Sequence, residues 1–368
     1  MESIEASFSE LTTLRVGGRI ADFRLVDSPE ELAACVREAD AAGTPLIVLG
    51  CGSNLLAGDA DFPGMVVKAR DGKGPQTVER EGTAHVSVNA GCVWDDFVAW
   101  CVTHGLEGLE ALSGIPGQIG SAVMQNLGAY GQEIGTRLEA ATLLDRLTGK
   151  VERYAKDELG LGYRTSILRK SMDEGQDGGR WALSPRWIVL SAEFELTKAQ
   201  QGCVGHAQLA KALGCEVGQR MSIEMIREKV HEVRASKGMV CDPDPCGPSP
   251  IHDRWSSGSF FTNPVLGSEE AAELLPEDAP RYPAHDAQHV KTSAAWLIDH
   301  AGFPKGYGVH GGESKASLSN LHTLALTNRG QATSADVVEL AQTVKDGVRE
   351  RFGIELKPET VLVGVSLN

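Results

Sequence analysis

Apolar residues at helical spacing predict five helices along the chain. They cover residues 29–42, 94–104, 222–235, 292–300 and 334–352. Ser222 is the expected N-cap of the third helix and Ser334 that of the fifth, because a serine hydroxyl accepts hydrogen bonds from the first N–H groups of a helix. Gly43 and Gly353 stand just past the first and the last helix, where glycine commonly ends helices.

Alternating or unbroken apolar runs predict strands between these helices. They cover residues 45–49, 65–67, 85–89, 137–147, 151–154, 187–196 and 360–365. Helices and strands are mixed without the regular alternation of a doubly wound sheet, so the sequence predicts α+β domains. We expect a first part up to about residue 196 and a second part from about residue 222.

The stretch 105–131 holds seven glycines and, between them, seven leucine, isoleucine and valine residues. Glycine is used where φ must be positive or where another group approaches the main chain closely. The apolar residues argue against a surface linker. The stretch is therefore a buried, tightly folded loop whose N–H groups face a ligand such as phosphate, or a set of tight turns that bind nothing. The residues alone favour neither.

A second glycine loop, residues 50–56, follows the predicted strand 45–49. Strand followed by G-x-G suggests a dinucleotide site of the Rossmann type, but that fingerprint needs a third glycine where Leu55 stands, and then a long helix. A new strand at 65–67 follows instead. The segment is thus predicted to be a strand–loop–strand arrangement whose main-chain N–H groups suit a phosphate.

The chain has 368 residues, 42% of them hydrophobic, as in an ordinary globular protein of two or three domains. A net charge of −15 argues against broad binding to nucleic acid or anionic lipid. The polar N-terminus, residues 1–10, does not resemble a signal peptide, and no apolar run is long enough to span a bilayer. None of the eight cysteines forms a C-x-x-C pair, so free thiols in the cytoplasm are expected; Cys241 and Cys246 could pair if oxidised.

Seven polar residues in predicted loops are candidates for chemistry, since loops on a rigid scaffold often carry function. They are Tyr163, Arg164, Lys237, Ser259, Asn263, His322 and Glu359. Each also has an ordinary interpretation: Arg164 as a surface charge, Ser259 as the start of a strand, His322 as a core histidine. No H-E-x-x-H, P-loop, G-x-S-x-G or EF-hand pattern is present, so common hydrolase and metal sites have no support.

Taken together, nine segments resemble the UDP-N-acetylenolpyruvoylglucosamine reductase family in its long form. They follow in order along nearly the whole chain, which makes the set far more specific than any one of them. They are 13–18 (TLRVGG), 49–56 (LGCGSNLL), 112–117 (LSGIPG), 125–131 (QNLGAYG), 163–166 (YRTS), 258–264 (GSFFTNP), 294–298 (AAWLI), 322–328 (HTLALTN) and 358–359 (PE).

This resemblance implies an FAD-binding region of the vanillyl-alcohol-oxidase type at 1–200, built of two α+β subdomains at about 1–70 and 71–200. A connecting segment at 201–221, an α+β substrate-binding domain at 222–358 and a C-terminal strand at 359–368 would follow. The implied enzyme is a cytoplasmic oxidoreductase of peptidoglycan synthesis, and so of cell shape and division. It uses NADPH and non-covalent FAD to reduce UDP-N-acetylglucosamine enolpyruvate to UDP-N-acetylmuramate.

The resemblance also implies roles for single residues. Arg164 and Glu359 would hold the carboxylate end of the substrate, with Glu359 protonated or acting through another donor, and Ser259 would deliver a proton. Tyr163, Arg164, Lys237, Asn263 and His322 would bind substrate. The FAD-binding residues would be Gly50, Cys51, Gly52, Ser53, Asn54, Ser113, Gly114, Ile115, Pro116, Gly117, Gly120, Gln125, Asn126, Gly128, Ala129 and Tyr130.

His206 stands near the place where the long form of the family usually has a tyrosine that closes over the substrate. Closure over the substrate is therefore a weaker expectation than flavin binding. A monomer that binds only small molecules, without metal, nucleic acid or membrane insertion, is expected. Two other functions compete: a flavin oxidase for another substrate, against which segments 258–264 and 358–359 argue, and a flavin or UDP-sugar binder without turnover.

Overall fold

A computed structural model describes residues 4–80, 82–174, 179–244, 246–248, 251–284 and 286–368. The chain forms two compact units. The first consists mainly of Ile20–Cys51 and Pro63–Ala235, and the second of Ala6–Arg19, Gly52–Phe62 and Ser236–Asn368. Helices and strands are mixed in both, which confirms the predicted α+β class. Two early segments thus fold with the C-terminal third, while the assignment of cofactor and substrate to the domain ranges stays a prediction.

The main sheet of the first unit is antiparallel. Its strands, in spatial order, are Val151–Ala155, Leu138–Asp145, Trp187–Lys198, Thr83–Asn89 and Gln76–Arg80, with Leu106–Glu107 paired to the third. One face packs on the helix Trp94–Thr103 through Trp94, Phe97 and Phe194, all fully buried. The predicted strands 85–89, 137–147, 151–154 and 187–196 are confirmed within a few residues at each end.

A smaller sheet of the first unit runs Ile4–Ser7, Arg19–Val26, Phe62–Ala69 and Leu46–Val48, the last two parallel. The helix Pro29–Ala42 has the predicted bounds. Ser28 begins it by accepting a hydrogen bond from Glu31 N at 3.2 Å, and Gly43 ends it in the left-handed conformation at φ 65°. Its apolar face forms one core with both sheets.

The second unit joins short strands to one long helix. Leu55–Ala57 pairs with Val361–Val363, and Ala316–Leu318 pairs with Leu326–Asn328. In a third sheet, His289–Lys291 is the middle strand between Val265–Gly267 and Tyr282–Pro283. The helix Ser334–Phe352 has the predicted bounds, but Ser334 is not its cap. Thr333 caps it by accepting from Asp336 N at 3.3 Å, while Ser334 Oγ donates to Asp59 Oδ2 at 2.7 Å.

Several short elements were not predicted. They are the helices Phe8–Leu11, Ile119–Met124, Ile167–Asp173, Ala207–Leu213 and Ser268–Leu274, and the strands Leu55–Ala57, Gln76–Arg80 and Gln201–Cys203. A helix of four to seven residues is too short to repeat an amphipathic period. Ser222 ends the strand Arg220–Ser222, and the helix Ile223–Ala235 follows it. The helix predicted at 292–300 begins two residues later, as Ala294–His300.

Two polar segments are described only in part. Residues 175–178 of the acidic segment 171–180 lie outside the described residues, as do 245, 249 and 250 of the proline-rich segment 240–258. Within the described ranges, no helix is both long and apolar enough to cross a membrane.

Candidate active site

The two glycine loops lie against each other in the first unit. Cys51 Sγ donates to Gly117 O at 3.2 Å, and a Cβ atom placed on Gly50 would lie 3.3 Å from Ser121 Oγ. Gln118 fixes the second loop because its side-chain NH₂ donates to Ala69 O at 2.7 Å and to Gly91 O at 2.9 Å. The structure therefore joins two segments whose contacting residues are 66 positions apart into one main-chain surface.

Gly50 and Gly117 leave room beside the main chain. Among the described residues, a Cβ atom on Gly117 would meet Ser121 Oγ alone, at 3.4 Å, and one on Gly50 would meet nothing closer than 3.3 Å. A phosphate group can approach open main chain of this kind. The residues present therefore fit a diphosphate, as the phosphate interpretation of both loops requires.

Gly52 and Gly131 serve the fold itself. A Cβ atom on Gly52, which has φ 64°, would overlap the carbonyl of Leu11. One on Gly131, at φ 84°, would lie 2.6 Å from Gly205 O. The glycines of these segments therefore differ: some form tight turns and others leave the main chain open, and phosphate binding at the open ones stays a prediction.

The helix Ile223–Ala235 holds the turn at Gly114. Gly114 N donates to Asp95 Oδ1 at 2.7 Å, and Arg234 Nε donates to Gly114 O at 2.9 Å. Arg227 pairs with both oxygens of Asp95, at 2.6 and 2.9 Å. Burial alone would raise the pKa of Asp95, but the hydrogen bonds from Arg227 and Gly114 N lower it. The carboxylate therefore stays charged and keeps this turn in place.

Sequence analysis missed Arg234, although a signal for it exists. The buried positions of its helix are Ile223, Ile226, Val230 and then Arg234, so a charged residue continues the apolar stripe. A buried arginine needs partners. Here they are Gly114 O and the hydroxyl of Tyr130, whose pKa is raised by burial and lowered in part by Arg234. Arg234 thus joins the predicted cofactor residues Gly114 and Tyr130.

His206 lies beside Tyr130. Its ring stands perpendicular to the tyrosine ring with 5.7 Å between centroids. His206 is also the N-cap of the helix Ala207–Leu213, because its Nδ1 accepts from Gln208 N at 3.3 Å. His206, which the family resemblance puts near the place of a tyrosine, is therefore a helix cap in contact with the glycine stretch.

Tyr163 and Arg164 form the tip of a tight turn. Gly162 and Thr165 exchange two backbone hydrogen bonds of 3.1 and 3.2 Å around them. Asn126 anchors this turn to the glycine stretch: its NH₂ donates to Gly162 O at 2.9 Å, and its side-chain oxygen accepts from Gly135 N at 3.0 Å. The side chain of Asn126 is thus engaged by the protein, and it places the Arg164 turn beside the loop predicted to bind cofactor.

Four residues other than glycine have positive φ in the described chain. They are Arg15 at 55°, Asn126 at 43°, Tyr130 at 48° and Arg164 at 53°. Such residues cost energy and cluster where function requires an exact backbone path. All four lie in segments that carry the family resemblance, and three of them are predicted site residues of the first unit.

In the second unit, Ser259 and Glu359 lie on neighbouring backbone segments. Glu359 N donates to Phe260 O at 2.8 Å, and Phe261 forms a β-bridge with Pro358. Asn54 joins them, because its NH₂ donates to Glu359 O at 3.2 Å. Ser259 is half-buried after Gly258, which has φ 75° and open space beside its α-carbon. None of the hydrogen bonds of the described residues uses the Ser259 hydroxyl.

A cationic cluster in the second unit contains two further predicted residues, Lys237 and His322. Burial and the charges of Lys237 and Lys305 lower the pKa of His322 to about 4. His322 Nδ1 accepts from Leu324 N at 3.1 Å, so the neutral ring carries its proton on Nε2. A neutral donor near the charges of two lysines suits an anionic ligand. Sequence analysis did not single out Lys305.

The remaining predicted residues divide between protein contacts and loop surface. Asn263 accepts from Ala294 N at 3.0 Å, which leaves its NH₂ group for a ligand. Ser113 Oγ donates to Glu110 O at 2.7 Å. The others lie along the two loops, and their roles stay predictions: Ser53, Ile115, Pro116, Gly120, Gln125, Gly128 and Ala129. Arg164 belongs to the first unit, and Ser259 and Glu359 belong to the second.

The low pKa of His322 predicts a loss of stability in acid. Unfolded histidine titrates near 6.5 and His322 near 4, so between these values the unfolded chain binds more protons. The free energy of unfolding should therefore fall as pH drops from about 6.5 towards 4. Urea titrations at pH 7 and pH 5 should show a smaller decrease in His322→Gln than in wild type. An equal decrease in the two proteins would contradict the assignment.

Two protein-family models match successive parts of the chain. Residues 22–154 match the family model described as FAD binding domain. They include the loop at Gly50, the glycine stretch and the strands of the main sheet that precede Trp187–Lys198, so this is the fold of an FAD-binding protein. Residues 249–363 match the model described as UDP-N-acetylenolpyruvoylglucosamine reductase, C-terminal domain.

Relatives match over nearly the whole chain. The UDP-N-acetylenolpyruvoylglucosamine reductase of Thermobifida fusca is 43% identical over 370 residues, 98% of this chain and 97% of that one. The enzyme of the same name from Nocardia farcinica is 46% identical over 368 residues, 98% of this chain and 89% of its own. The crystal structure of the reductase from Thermus caldophilus superposes with a TM-score of 0.63 at 28% identity and covers 99% of both chains.

The chain therefore belongs to the UDP-N-acetylenolpyruvoylglucosamine reductase family, and it is a flavin-dependent oxidoreductase. The family membership and the FAD-binding fold predicted from the nine segments are confirmed.

Proposed function

We propose that this protein reduces UDP-N-acetylglucosamine enolpyruvate to UDP-N-acetylmuramate, with NADPH as hydride donor. The proposal is supported by membership of the family and by the pairing of segments 258–261 and 358–360, which puts Ser259 and Glu359 on neighbouring backbone segments. The enzyme would act in the cytoplasm, as a monomer, on small-molecule substrates, in the synthesis of peptidoglycan.

The main chain at Gly50 and Gly117 would hold the diphosphate of FAD, and Arg234 and Tyr130 would lie next to it along the glycine stretch. When bound, FAD would carry hydride from NADPH to the enolpyruvyl double bond. The chain would hold the cofactor through open main chain and buried polar groups. No covalent attachment is expected.

Three side chains would serve the reacting end of the substrate. Hydride added to the terminal alkene carbon leaves negative charge on the carbon next to the carboxylate, and positioned donors stabilise such charge. The Arg164 guanidinium would hold the carboxylate through two parallel hydrogen bonds, and Glu359 would hold the same end. The Ser259 hydroxyl would give its proton to the carbon that carries the charge.

The UDP end of the substrate carries two phosphates, and the second unit offers a matching cluster. Lys237 and Lys305 would neutralise their charge, and neutral His322 would donate from Nε2. Gly238 sets this geometry: a Cβ atom there would lie 2.8 Å from Asp253 O, so the turn that presents Lys237 packs closely on that segment. The NH₂ group of Asn263 and the phenol of Tyr163 would supply further contacts.

Gly50→Val tests the open main chain directly. Its side chain would occupy the space assigned to the FAD diphosphate while meeting mainly the small Ser121 side chain. We expect the variant to purify folded but colourless, and to bind added FAD at least about a hundredfold more weakly, as the loss of about 3 kcal/mol of contacts gives. Gly72→Val is the matched control, because Gly72 has nothing within 4 Å of its added Cβ. Full FAD occupancy in Gly50→Val would show that the loop does not approach the cofactor.

A steady-state assay tests the function. Purified protein with NADPH and UDP-N-acetylglucosamine enolpyruvate should consume NADPH and form UDP-N-acetylmuramate, detected by mass. If the rate of NADPH consumption depends on oxygen and does not change with the enolpyruvyl substrate, the protein is a flavin oxidase instead. Binding of FAD and substrate with no turnover would indicate a binding protein.

A further inference from the structure

A histidine and two glutamates converge on the outer face of the main sheet. His85, Glu139 and Glu195 each offer one nitrogen or oxygen atom, and these atoms all lie within 4.8 Å of one another. His85 and Glu139 are half-buried and Glu195 is exposed. The three residues come from three adjacent strands, so the cluster depends on the tertiary structure and has no sequence motif.

The backbone brings these side chains together in an unusual way. Glu195 lies on the middle strand, directly opposite His85, and Glu139 is on the strand at the other side. Flanking strands lie about 9.6 Å apart, twice the usual spacing, yet His85 Nδ1 is 2.9 Å from Glu139 Oε2. The two side chains therefore reach towards each other over the middle strand.

A β-bulge makes this reach possible. The pairing passes from Leu138 opposite Phe194 to Ala140 opposite Glu193, so Glu139 is an extra residue in its strand. Bulges re-aim side chains and are often found at functional sites. Here the bulge directs a carboxylate to the imidazole and away from the buried core.

We propose that His85, Glu139 and Glu195 form a binding site for a divalent cation of the Zn²⁺ class. One imidazole nitrogen and two carboxylate oxygens are a donor set that Zn²⁺ accepts, with water completing the coordination. Bonds of about 2.0–2.1 Å place neighbouring ligand atoms of a tetrahedron roughly 3.3 Å apart, close to the His85–Glu139 separation. The ion would replace the proton that these two groups share.

A cleft beside the cluster would let the ion reach it, and the Arg153 guanidinium would compete with the ion for Glu139. A cleft of about 350 Å³ borders the cluster and is lined by Glu139 and Glu195, together with Arg137, Lys156 and Asp157. Arg153 Nη2 lies 3.6 Å from Glu139 Oε1 and 2.8 Å from Glu193 Oε2. Arg153 would retain its ion pair with Glu193 when the metal coordinates Glu139. Its charge opposes binding, so Arg153→Gln should tighten the site.

The site lies apart from the cofactor loops. His85 precedes the end of its strand at Asn89 by four residues, roughly 13 Å, and residues 118–120 of the glycine stretch meet the chain beyond that end, at residues 90–92. The cation would therefore fasten three strands of the sheet and leave flavin chemistry unchanged. Ligands that bind only the folded state raise its stability by mass action.

Zn²⁺ titration of the tag-free, FAD-loaded protein tests the proposal. Equilibrium dialysis should give one Zn²⁺ per chain, and a hundredfold excess over the dissociation constant should raise Tm by roughly 5 °C. In Glu195→Gln, which alters an exposed side chain, affinity should fall by about tenfold or more because one of three ligands is lost.

Glu339→Gln is the matched control. Glu339 pairs with His310 at 3.0 Å on the surface of the second unit, so it offers one histidine and one carboxylate but not the third ligand. This variant should bind Zn²⁺ like wild type, and Arg153→Gln should bind it more tightly. The proposal is overturned if wild type binds no Zn²⁺, if Glu195→Gln binds it unchanged, or if Glu339→Gln weakens binding as much as Glu195→Gln does.

Discussion

In Ser259→Ala, reduction of the bound flavin by NADPH should stay within about twofold of wild type, whereas its reoxidation by UDP-N-acetylglucosamine enolpyruvate should fall by about 10²–10⁴-fold. The first half-reaction, hydride transfer from NADPH to FAD, protonates no substrate carbon. The second must protonate the carbon beside the substrate carboxylate, which is strongly basic once hydride has been added. A serine hydroxyl can protonate such a carbon although it is a weak acid in water. Anaerobic stopped-flow absorbance measures the two rates separately.

Two further variants make this result specific. Ser259→Cys should recover part of the loss, because a thiol also donates a proton. Ser257→Ala is the control. Ser257 Oγ lies 2.8 Å from Thr360 Oγ1, so this substitution disturbs the packing of the same two segments but leaves the Ser259 hydroxyl in place. Equal slowing of both half-reactions in Ser259→Ala would make the residue structural. No slowing at all would assign the proton to another group.

Arg164→Lys should lower kcat/KM by about 10²–10³-fold although the charge is kept, the cost of losing one positioned donor to developing charge. Lysine cannot form the two parallel hydrogen bonds that a guanidinium gives a carboxylate. The backbone should not change, since both residues meet the same strain at φ 53°. The NADPH half-reaction should keep its wild-type rate, because it involves no substrate carboxylate.

The matched control is Arg70→Lys. Arg70 forms a similar two-point contact with Asp27, at 2.8 and 3.0 Å, on the exposed surface. The same chemical change there should leave turnover unaltered. Near-normal kinetics in Arg164→Lys would mean that Arg164 is an ordinary surface charge, the alternative that the sequence leaves open.

Long amphipathic elements could be predicted from the sequence because their signals are local. The helix Pro29–Ala42 carries its own cap, apolar stripe and glycine stop, and the helix Ser334–Phe352 carries the same stripe and stop. The cap of the second helix was misassigned by one residue, since Thr333 and Ser334 are equally good caps by type. What decided between them is Asp59, 275 residues away, which accepts from the Ser334 hydroxyl.

The division into units could not be predicted, because it depends on long-range contacts. Thr13 Oγ1 donates to Ser256 O at 2.6 Å, and Asn328 donates to Leu14 O at 3.1 Å. Leu14 and Leu56 are buried in the core of the second unit. No periodicity or spacing near residues 13 or 56 indicates these partners.

Local sequence signals were enough to nominate candidate site residues, but not to find the contacts that hold them. The glycine loops were found because glycine near apolar residues has few purposes in a folded chain. Their meeting through Cys51 and Gly117, and the role of Asn126 as an anchor for the Arg164 turn, follow only from the three-dimensional structure. Lys305 could not be found, since one exposed lysine carries no signal until His322 is seen beside it.

One anaerobic measurement tests the central claim, that this chain passes hydride from NADPH to an enolpyruvyl substrate. The FAD-loaded protein is bleached with one equivalent of NADPH, freed of NADP⁺ and mixed with UDP-N-acetylglucosamine enolpyruvate while absorbance near 450 nm is followed. Hydride transfer from the reduced flavin to this substrate should return the full oxidised flavin spectrum, with one UDP-N-acetylmuramate formed per flavin. A flavin that stays reduced until oxygen is admitted, with no product formed, would contradict it.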